Sequence, residues 1–228
     1  MIEGLSQPFP SGESPDLAPL IDHALLDPRQ GKEAVQRCCA EALQHGFAGV
    51  CLASRWMPQA RRWLGDRGAV RLVSVVGFPF GAVAAEIKRA EAEWAVEQGA
   101  DELDLVPDFA LLIDGELTVL HDSIASVVEL GLPVKLILEA GELAPENLAN
   151  LVEVALDAGV AFLKTGSGYG SAVEPALIRQ LQQLAQGKAK LKASGGIRNL
   201  EQALALVEAG AERLGTSRGV ELVRAQRA

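Results

Sequence analysis

The stretch Ala161-Phe162-Leu163-Lys164-Thr165-Gly166-Ser167-Gly168 is a short apolar run that ends in a lysine and then breaks into small, turn-forming residues. This pattern predicts a buried strand with an amine at its carboxyl end, followed by a loop whose glycines let the backbone approach a ligand. A second run, Leu191-Lys192-Ala193-Ser194-Gly195-Gly196, repeats the pattern, and a third, Leu103-Asp104-Leu105-Val106, contains a carboxylate. Two amines and a carboxylate are therefore expected at the ends of three short strands.

The same rhythm extends along the chain. Short apolar runs alternate with segments in which apolar residues recur every three or four positions, and glycine follows most of those segments, as helix C-capping predicts. Strands are predicted near 21–26, 48–52, 71–76, 102–106, 133–138, 161–164, 190–193 and 212–215. Strict alternation indicates a parallel sheet, and eight units in about 210 residues favour a single-domain α/β protein with a (β/α)8 TIM barrel. A doubly wound open sheet, which normally has fewer strands, is the alternative.

The chain ends and the overall composition limit the classes of function. Residues 1–16 are rich in serine, proline and glycine and are expected to form a flexible leader before a barrel domain at 17–228. They lack the basic start and apolar segment of a signal peptide, and no run approaches the length of a membrane span. A net charge of -9 argues against nucleic-acid and anionic-membrane partners. Cys38, Cys39 and Cys51 form no CxxC pair, which favours a reduced, cytoplasmic setting.

The paired lysines indicate a chemistry. In barrels of this type the active site lies at the carboxyl ends of the strands. A buried amine beside a second ammonium is pushed towards its neutral form, and a neutral amine attacks carbonyl carbon to give an imine. Lys164 and Lys192 fit these two roles, with Asp104 as a proton relay and Asp22 as the partner of one lysine. For each lysine taken singly, the alternative is an ammonium that merely reaches solvent at the rim.

The loops after the seventh and eighth strands indicate anion binding. Residues 194–198 read Ser-Gly-Gly-Ile-Arg and residues 215–219 read Gly-Thr-Ser-Arg-Gly. In (β/α)8 enzymes a phosphate commonly lies between these two loops, where backbone N–H groups and a helix N-terminus bind it. The residues by themselves therefore predict a barrel that forms an imine with a phosphorylated carbonyl compound, in an aldol-type reaction.

With these motifs, the chain resembles the deoxyribose-phosphate aldolase family. The resemblance runs in order through residues 21–26, 49–51, 75–81, 99–106, 135–139, 162–169, 192–198 and 215–217. It implies a class I aldolase, without metal or other cofactor, that reversibly cleaves 2-deoxy-D-ribose 5-phosphate into acetaldehyde and D-glyceraldehyde 3-phosphate in deoxyribonucleotide catabolism. A homodimer is a further family-level expectation.

The resemblance also implies a role for each matching residue. Lys164 would be the Schiff-base lysine, Lys192 the second lysine that lowers its pKa, Asp104 part of the proton relay, and Asp22 the partner of Lys192. Cys51 would line the site without a chemical role. The phosphate would be held, mostly through backbone N–H groups, by Gly168, Gly195, Gly196 and Ser217.

The chain departs from the family pattern at several positions, including Ala24, Asp27, residues 52–54 and Arg218. These departures affect the rate and the substrate scope rather than the reaction type. Ala24 stands where the family usually has threonine, and Ser167 is the hydroxyl available to compensate. Arg218 replaces a second serine in the last loop. Two alternative functions remain at this point. One is a related imine-forming aldolase or transaldolase with another phosphorylated substrate, and the other is a non-catalytic barrel that binds sugar phosphates.

Overall fold

The structure is a computed structural model that describes residues 14–228, and its centre is a closed barrel of eight parallel strands in sequence order. Strand β1 pairs with both β2 and β8, so the sheet closes, and the open-sheet alternative is excluded. The strands are β1 Ile21–Leu25, β2 Gly49–Ala53, β3 Arg71–Val76, β4 Glu102–Leu105, β5 Val134–Ile137, β6 Phe162–Lys164, β7 Lys190–Ser194 and β8 Arg213–Thr216.

An outer ring of helices follows the strands one by one. The helices are α1 Lys32–His45, α2 Met57–Leu64, α3 Ala85–Glu97, α4 Phe109–Ile113, α5 Leu117–Val128, α6 Pro145–Asp157, α7 Pro175–Ala185, α8 Leu200–Glu208 and α9 Gly219–Arg227. The sequence pattern did not predict α4, because five residues are too few to display helical periodicity. Its start is fixed by Asp108, whose carboxylate accepts a hydrogen bond from the Ala110 N–H at 3.0 Å. Within residues 14–228, no helix is long and apolar enough to cross a bilayer.

The predicted leader falls mostly on residues 1–13, which lie outside the described residues. The chain just before the barrel is tied to the last helix. Gln226 on α9 donates a side-chain hydrogen bond to the Pro15 carbonyl at 2.7 Å and accepts one from the Leu17 N–H at 3.0 Å. Hydrogen bonds therefore connect the first residues of the barrel domain to its last helix.

Strands β4 and β6 each have two faces with opposite chemistry. Side chains alternate along a strand, so one set points to the helices and the next points into the barrel. Outward-facing residues such as Leu103 and Leu163 belong to the main apolar core between sheet and helices. Their neighbours Asp104 and Lys164 face the interior, where they contact each other. On these strands, the charged side chains therefore lie in the interior of the barrel.

Candidate active site

Lys164, the last residue of β6, and Lys192, the middle residue of β7, lie side by side. The two residues are partners in the register of the parallel pair, so both side chains leave the sheet at the same level and on the same face. Only 2% of Lys164 and 1% of Lys192 is exposed to solvent. The reading of these lysines as rim charges is therefore wrong, because both amines are buried inside the barrel.

Asp104 joins the two amines. Its Oδ2 atom accepts hydrogen bonds from Lys164 Nζ at 3.0 Å and from Lys192 Nζ at 2.7 Å. Lys192 Nζ also donates to Asp22 Oδ2 at 2.5 Å, so this amine lies between two carboxylates. The four residues that the sequence singled out for chemistry thus form one hydrogen-bonded cluster.

A second layer of the cluster lies beneath these residues and was not predicted. Lys135 on β5 donates to Asp104 Oδ1 at 2.8 Å and lies 2.7 Å from Glu102 Oε2. Arg213 on β8 donates to Asp22 Oδ1 at 2.7 Å. A signal was available for two of them: Glu102 is two residues before Asp104 on the same strand face, and Lys135 interrupts an otherwise apolar strand.

The electrostatics of the cluster keep its inner members charged. Burial by itself would raise the pKa of Asp22, but Lys192, Lys135 and Arg213 outweigh it and lower the pKa to about 2. Burial opposes the ionised form of Asp104 too, yet Lys135, Lys164 and Lys192 hold its pKa well below the usual value. Burial would lower the pKa of Lys192, but Asp104 and Asp22 raise it above the value of a free lysine. Lys192 therefore remains an ammonium ion at neutral pH.

Cys51 contacts this cluster, whereas Ser167 lies in the loop above it. Cys51 Sγ is 3.7 Å from Asp104 Oδ2, and burial together with the charge of Asp104 raises the pKa of the thiol to about 11. A thiol that stays protonated is a poor nucleophile. The Ser167 hydroxyl accepts a hydrogen bond from the Tyr169 N–H at 3.1 Å, and the Ser167 N–H donates to Glu139 Oε1 at 2.6 Å. Ser167 is thus part of the loop that follows Lys164.

A cavity of about 730 Å³ opens above the two lysines. Lys164, Lys192 and Cys51 line one part of it, whereas Asp22 and Asp104 are fully buried behind the amines. The remaining predicted residues line the same cavity: Ser167, Gly168, Gly195, Gly196 and Ser217. The structure therefore brings the predicted nucleophile and the predicted anion-binding loops to one cavity at the carboxyl end of the barrel.

The glycines of the anion-binding loops are required by their surroundings. Gly195 and Gly196 have φ angles of 109° and 71°, which side chains of L-amino acids rarely adopt. A Cβ atom on Gly196 would also lie 2.6 Å from Ala172 Cβ. Helix α9 begins at Gly219, directly after Ser217 and Arg218, so its unpaired N–H groups start beside the cavity. This end of the cavity is suited to an anion.

Comparisons with known proteins point to the same family as the motifs. No protein-family model matches the chain. The chain is 44% identical over 210 residues to deoxyribose-phosphate aldolase of Thermosynechococcus vestitus, which covers 92% of this chain and 96% of that protein. It is 45% identical over 215 residues to deoxyribose-phosphate aldolase of Microcystis aeruginosa, with 93% and 95% of the two chains covered.

The chain belongs to the deoxyribose-phosphate aldolase family. A solved structure described as a unique tetrameric deoxyribose phosphate aldolase, from Aeropyrum pernix, superimposes with a TM-score of 0.85 at 34% identity. That match covers 93% of this chain and 91% of the other. The predicted (β/α)8 fold and the family resemblance are both confirmed.

In this deoxyribose-phosphate aldolase family member, three departures from the family's sequence pattern lie at the cavity: Ala24, Asp27 and Arg218. Ala24 lines the cavity next to Cys51 on the neighbouring strand. Arg218 lines it too, and its N–H donates to Thr216 Oγ1 at 3.0 Å. Among residues 14–228, no group of three or more histidine, cysteine, aspartate or glutamate side chains is arranged to hold a metal ion.

Proposed function

We propose that this protein is a class I aldolase that reversibly cleaves 2-deoxy-D-ribose 5-phosphate into acetaldehyde and D-glyceraldehyde 3-phosphate, with Lys164 as the nucleophile. One observation carries the proposal: the Lys164 amine lines a cavity and shares the Asp104 carboxylate with a second, charged lysine. Membership of the deoxyribose-phosphate aldolase family supports the choice of substrate.

In the cleavage direction, the neutral amine of Lys164 attacks the aldehyde carbon of the open-chain sugar, and loss of water gives an imine. The imine accepts the electron pair of the C2–C3 bond as that bond breaks, while the C3 hydroxyl loses its proton. D-Glyceraldehyde 3-phosphate leaves, and an enamine of acetaldehyde remains on Lys164. Protonation of the enamine at C2 and hydrolysis then release acetaldehyde and restore the amine.

The neighbours of Lys164 serve these steps in different ways. Because Lys192 stays an ammonium ion between Asp104 and Asp22, a neutral Lys164 avoids a second positive charge on the same carboxylate oxygen. Asp104 is a weak base, since the surrounding amines hold its pKa low. We therefore assign Asp104 to orient both amines and to pass protons through water, and Lys192 to donate protons.

The anion-binding end of the cavity would hold the 5-phosphate. Backbone N–H groups around Gly168, Gly195 and Gly196, the loop at Ser217 and the start of α9 line this end. Arg218 adds a guanidinium where a phosphate would lie against α9. Binding energy from this remote group positions the aldehyde carbon over Lys164.

We also propose that the chain works as a homodimer in the cytoplasm. Ile87 and Trp94 lie two turns apart on one face of α3, and both are exposed, at 59% and 38%. Exposed apolar side chains at such spacing favour a protein partner. The three cysteines are free thiols, which is typical of a reducing compartment. Light scattering coupled to size-exclusion chromatography measures the assembly.

Borohydride reduction during turnover tests the nucleophile. With 2-deoxy-D-ribose 5-phosphate and borohydride, we expect an irreversible adduct on Lys164, located by peptide mass spectrometry, together with loss of activity. The Lys164→Arg variant keeps the charge but lacks the nucleophile, and it should take up no adduct. Turnover without any adduct, or an adduct confined to another lysine, would contradict the proposal.

A further inference from the structure

The interior of the barrel contains a closed set of charged groups, most of which lie away from the cavity. Its carboxylates are Asp22, Glu102 and Asp104, and each of these residues is at most 6% exposed. Its cations come from four strands: Lys135, Lys164, Lys192 and Arg213. Three carboxylates therefore face four basic groups.

Three of the basic groups are each paired with two or more carboxylates. Lys192 lies between Asp22 and Asp104, at 2.5 Å and 2.7 Å. Arg213 lies 2.7 Å from Asp22 and 3.6 Å from Glu102.

Lys135 has three carboxylates within reach. Its amine is 2.8 Å from Asp104, 2.7 Å from Glu102 and 3.9 Å from Asp22. Lys135, Lys192 and Arg213 therefore neutralise the three carboxylates completely.

Lys164 is the basic group left over. Within residues 14–228, Asp104 is the only carboxylate within 4.0 Å of its amine, and Asp104 is already shared with Lys135 and Lys192. If all four basic groups were charged, the buried cluster would carry a net positive charge. A net charge in a low-dielectric interior is costly, so the balance favours the neutral amine on Lys164.

We propose that Arg213, at the end of the barrel opposite to the cavity, is a positioning residue that keeps Lys164 neutral by completing the charge balance of the interior. It does not touch the cavity, and it acts through Asp22, Lys192 and Asp104 in turn. The inference rests on the proposed function, because it assigns a cause to the neutrality that an imine-forming lysine needs.

The surroundings of Arg213 contain few competing charges. Its guanidinium carbon lies 5.5 Å from the centre of the Phe162 ring, and its side chain is 15% exposed. Lys190 also approaches the Phe162 ring, at 5.8 Å, but its side chain is 62% exposed and lies 3.8 Å from Glu212. Solvent screens that exposed pair, whereas Arg213 acts through buried contacts.

The other polar groups near Lys164 do not supply the missing negative charge. Glu139 follows β5, but its carboxylate accepts a hydrogen bond from the Ser167 N–H and lies beyond 4.0 Å from the Lys164 amine. The Cys51 thiol stays protonated at neutral pH because burial and Asp104 raise its pKa to about 11. The charge count within the cluster therefore decides the state of Lys164.

Replacing Arg213 by glutamine tests the proposal. Arg213→Gln removes one positive charge, so Lys164 becomes the third cation that the carboxylates require. A unit charge acting over about 10 Å in a protein interior moves a titration by about one pH unit. We expect the acid limb of the kcat/KM profile to move up by about one pH unit, with activity regained at high pH. The Arg213→Lys variant should keep the wild-type profile.

Glu102 provides the matched control of opposite sign. Glu102→Gln leaves one cation in excess, so its acid limb should move to lower pH. The double variant R213Q/E102Q has two carboxylates and two permanent cations, and its limb should return close to the wild-type position. A purely structural role predicts instead that the two losses add, with no return. If Arg213→Gln does not fold, the acid limb of Glu102→Gln still tests the proposal. A shift to lower pH supports it, and no shift or a shift to higher pH contradicts it.

A second readout separates this inference from the proposed function. Acetaldehyde with cyanoborohydride places an ethyl group on the neutral amine, and mass spectrometry of the Lys164 peptide gives its extent at each pH. An unlabelled Lys164 in the wild-type protein would overturn the proposed function and the inference with it. Labelling and turnover in the wild type, with the same pH dependence in Arg213→Gln and Glu102→Gln, would overturn the inference alone.

Discussion

Leu163 and Lys164 are neighbours on β6, yet their side chains occupy the two most different environments of the molecule. Leu163 is fully buried in the apolar layer between the barrel and its helices. Lys164 is 2% exposed, and its partner is a carboxylate in the charged interior of the barrel. Because successive side chains point to opposite faces of the strand, one residue packs in the apolar layer and the next joins the ionic cluster.

The difference shows how this barrel divides its tasks. The outer layer is continuous and apolar, and it provides the hydrophobic stabilisation of the fold. The interior also contains a small apolar patch, formed by Cys51, Val73 and Val75. Ions in such a place cost desolvation free energy that their mutual attraction barely repays, so the cluster is there for chemistry rather than for stability.

The largest expected effect on activity comes from removing the amine of Lys164. Lys164→Met deletes the nucleophile, and we expect kcat/KM to fall by about 10⁴-fold or more. The free energy of unfolding should change by less than about 1 kcal/mol or increase, because the three remaining cations still balance the carboxylates.

Steady-state kinetics and urea denaturation of the Lys164→Met variant measure these two effects. A loss of several kcal/mol of stability would show that the charge of Lys164 is needed to hold the interior together. That result would contradict the view that the outer face of β6 serves stability and the inner face serves chemistry.

The matched substitution on the outer face should have the reverse profile. Leu163→Ala leaves a cavity in the apolar layer, and we expect a loss of about 2–5 kcal/mol in the free energy of unfolding. Activity per folded molecule should stay within about twofold of the wild-type value, since the Lys164 side chain points to the other face. Denaturant unfolding combined with active-site titration separates the two quantities. A variant that is stable but inactive would contradict the expectation.

Acid should weaken the interior selectively. The pKa of Asp22 is lowered from 3.8 to about 2, so its carboxylate stabilises the folded state above about pH 4, and this contribution is lost as the pH falls towards 2. From this shift we expect a loss of about 2 kcal/mol in the free energy of unfolding. Asp104, whose pKa is also held low, adds to the loss in the same direction.

Urea denaturation at a series of pH values measures this acid sensitivity. The curve of Leu163→Ala should run parallel to that of the wild type, because the apolar layer contains no titrating partner of the cluster. A wild-type curve that stays flat between pH 4 and pH 2 would indicate that the interior carboxylates are no better stabilised than in the unfolded chain.

Most of the architecture could be read from local pattern. Apolar runs without alternation predict strands covered on both faces, and the strand Arg71–Val76 has the predicted bounds. The helix Phe109–Ile113 was missed, since one apolar turn has no period. The site residues at strand ends were also predictable, because the carboxyl ends of parallel strands meet at one edge.

The sequence by itself determined the alternation of strands and helices, the two lysines at strand ends and the glycine loops beside them. These features are local, and each depends on residues that are close in the chain. Only the tertiary structure decided that Glu102, Lys135 and Arg213 join Asp22, Asp104, Lys164 and Lys192 in one buried cluster. Barrel closure causes this, because it pairs β8 with β1 and brings Arg213 to Asp22, 191 residues away in the chain.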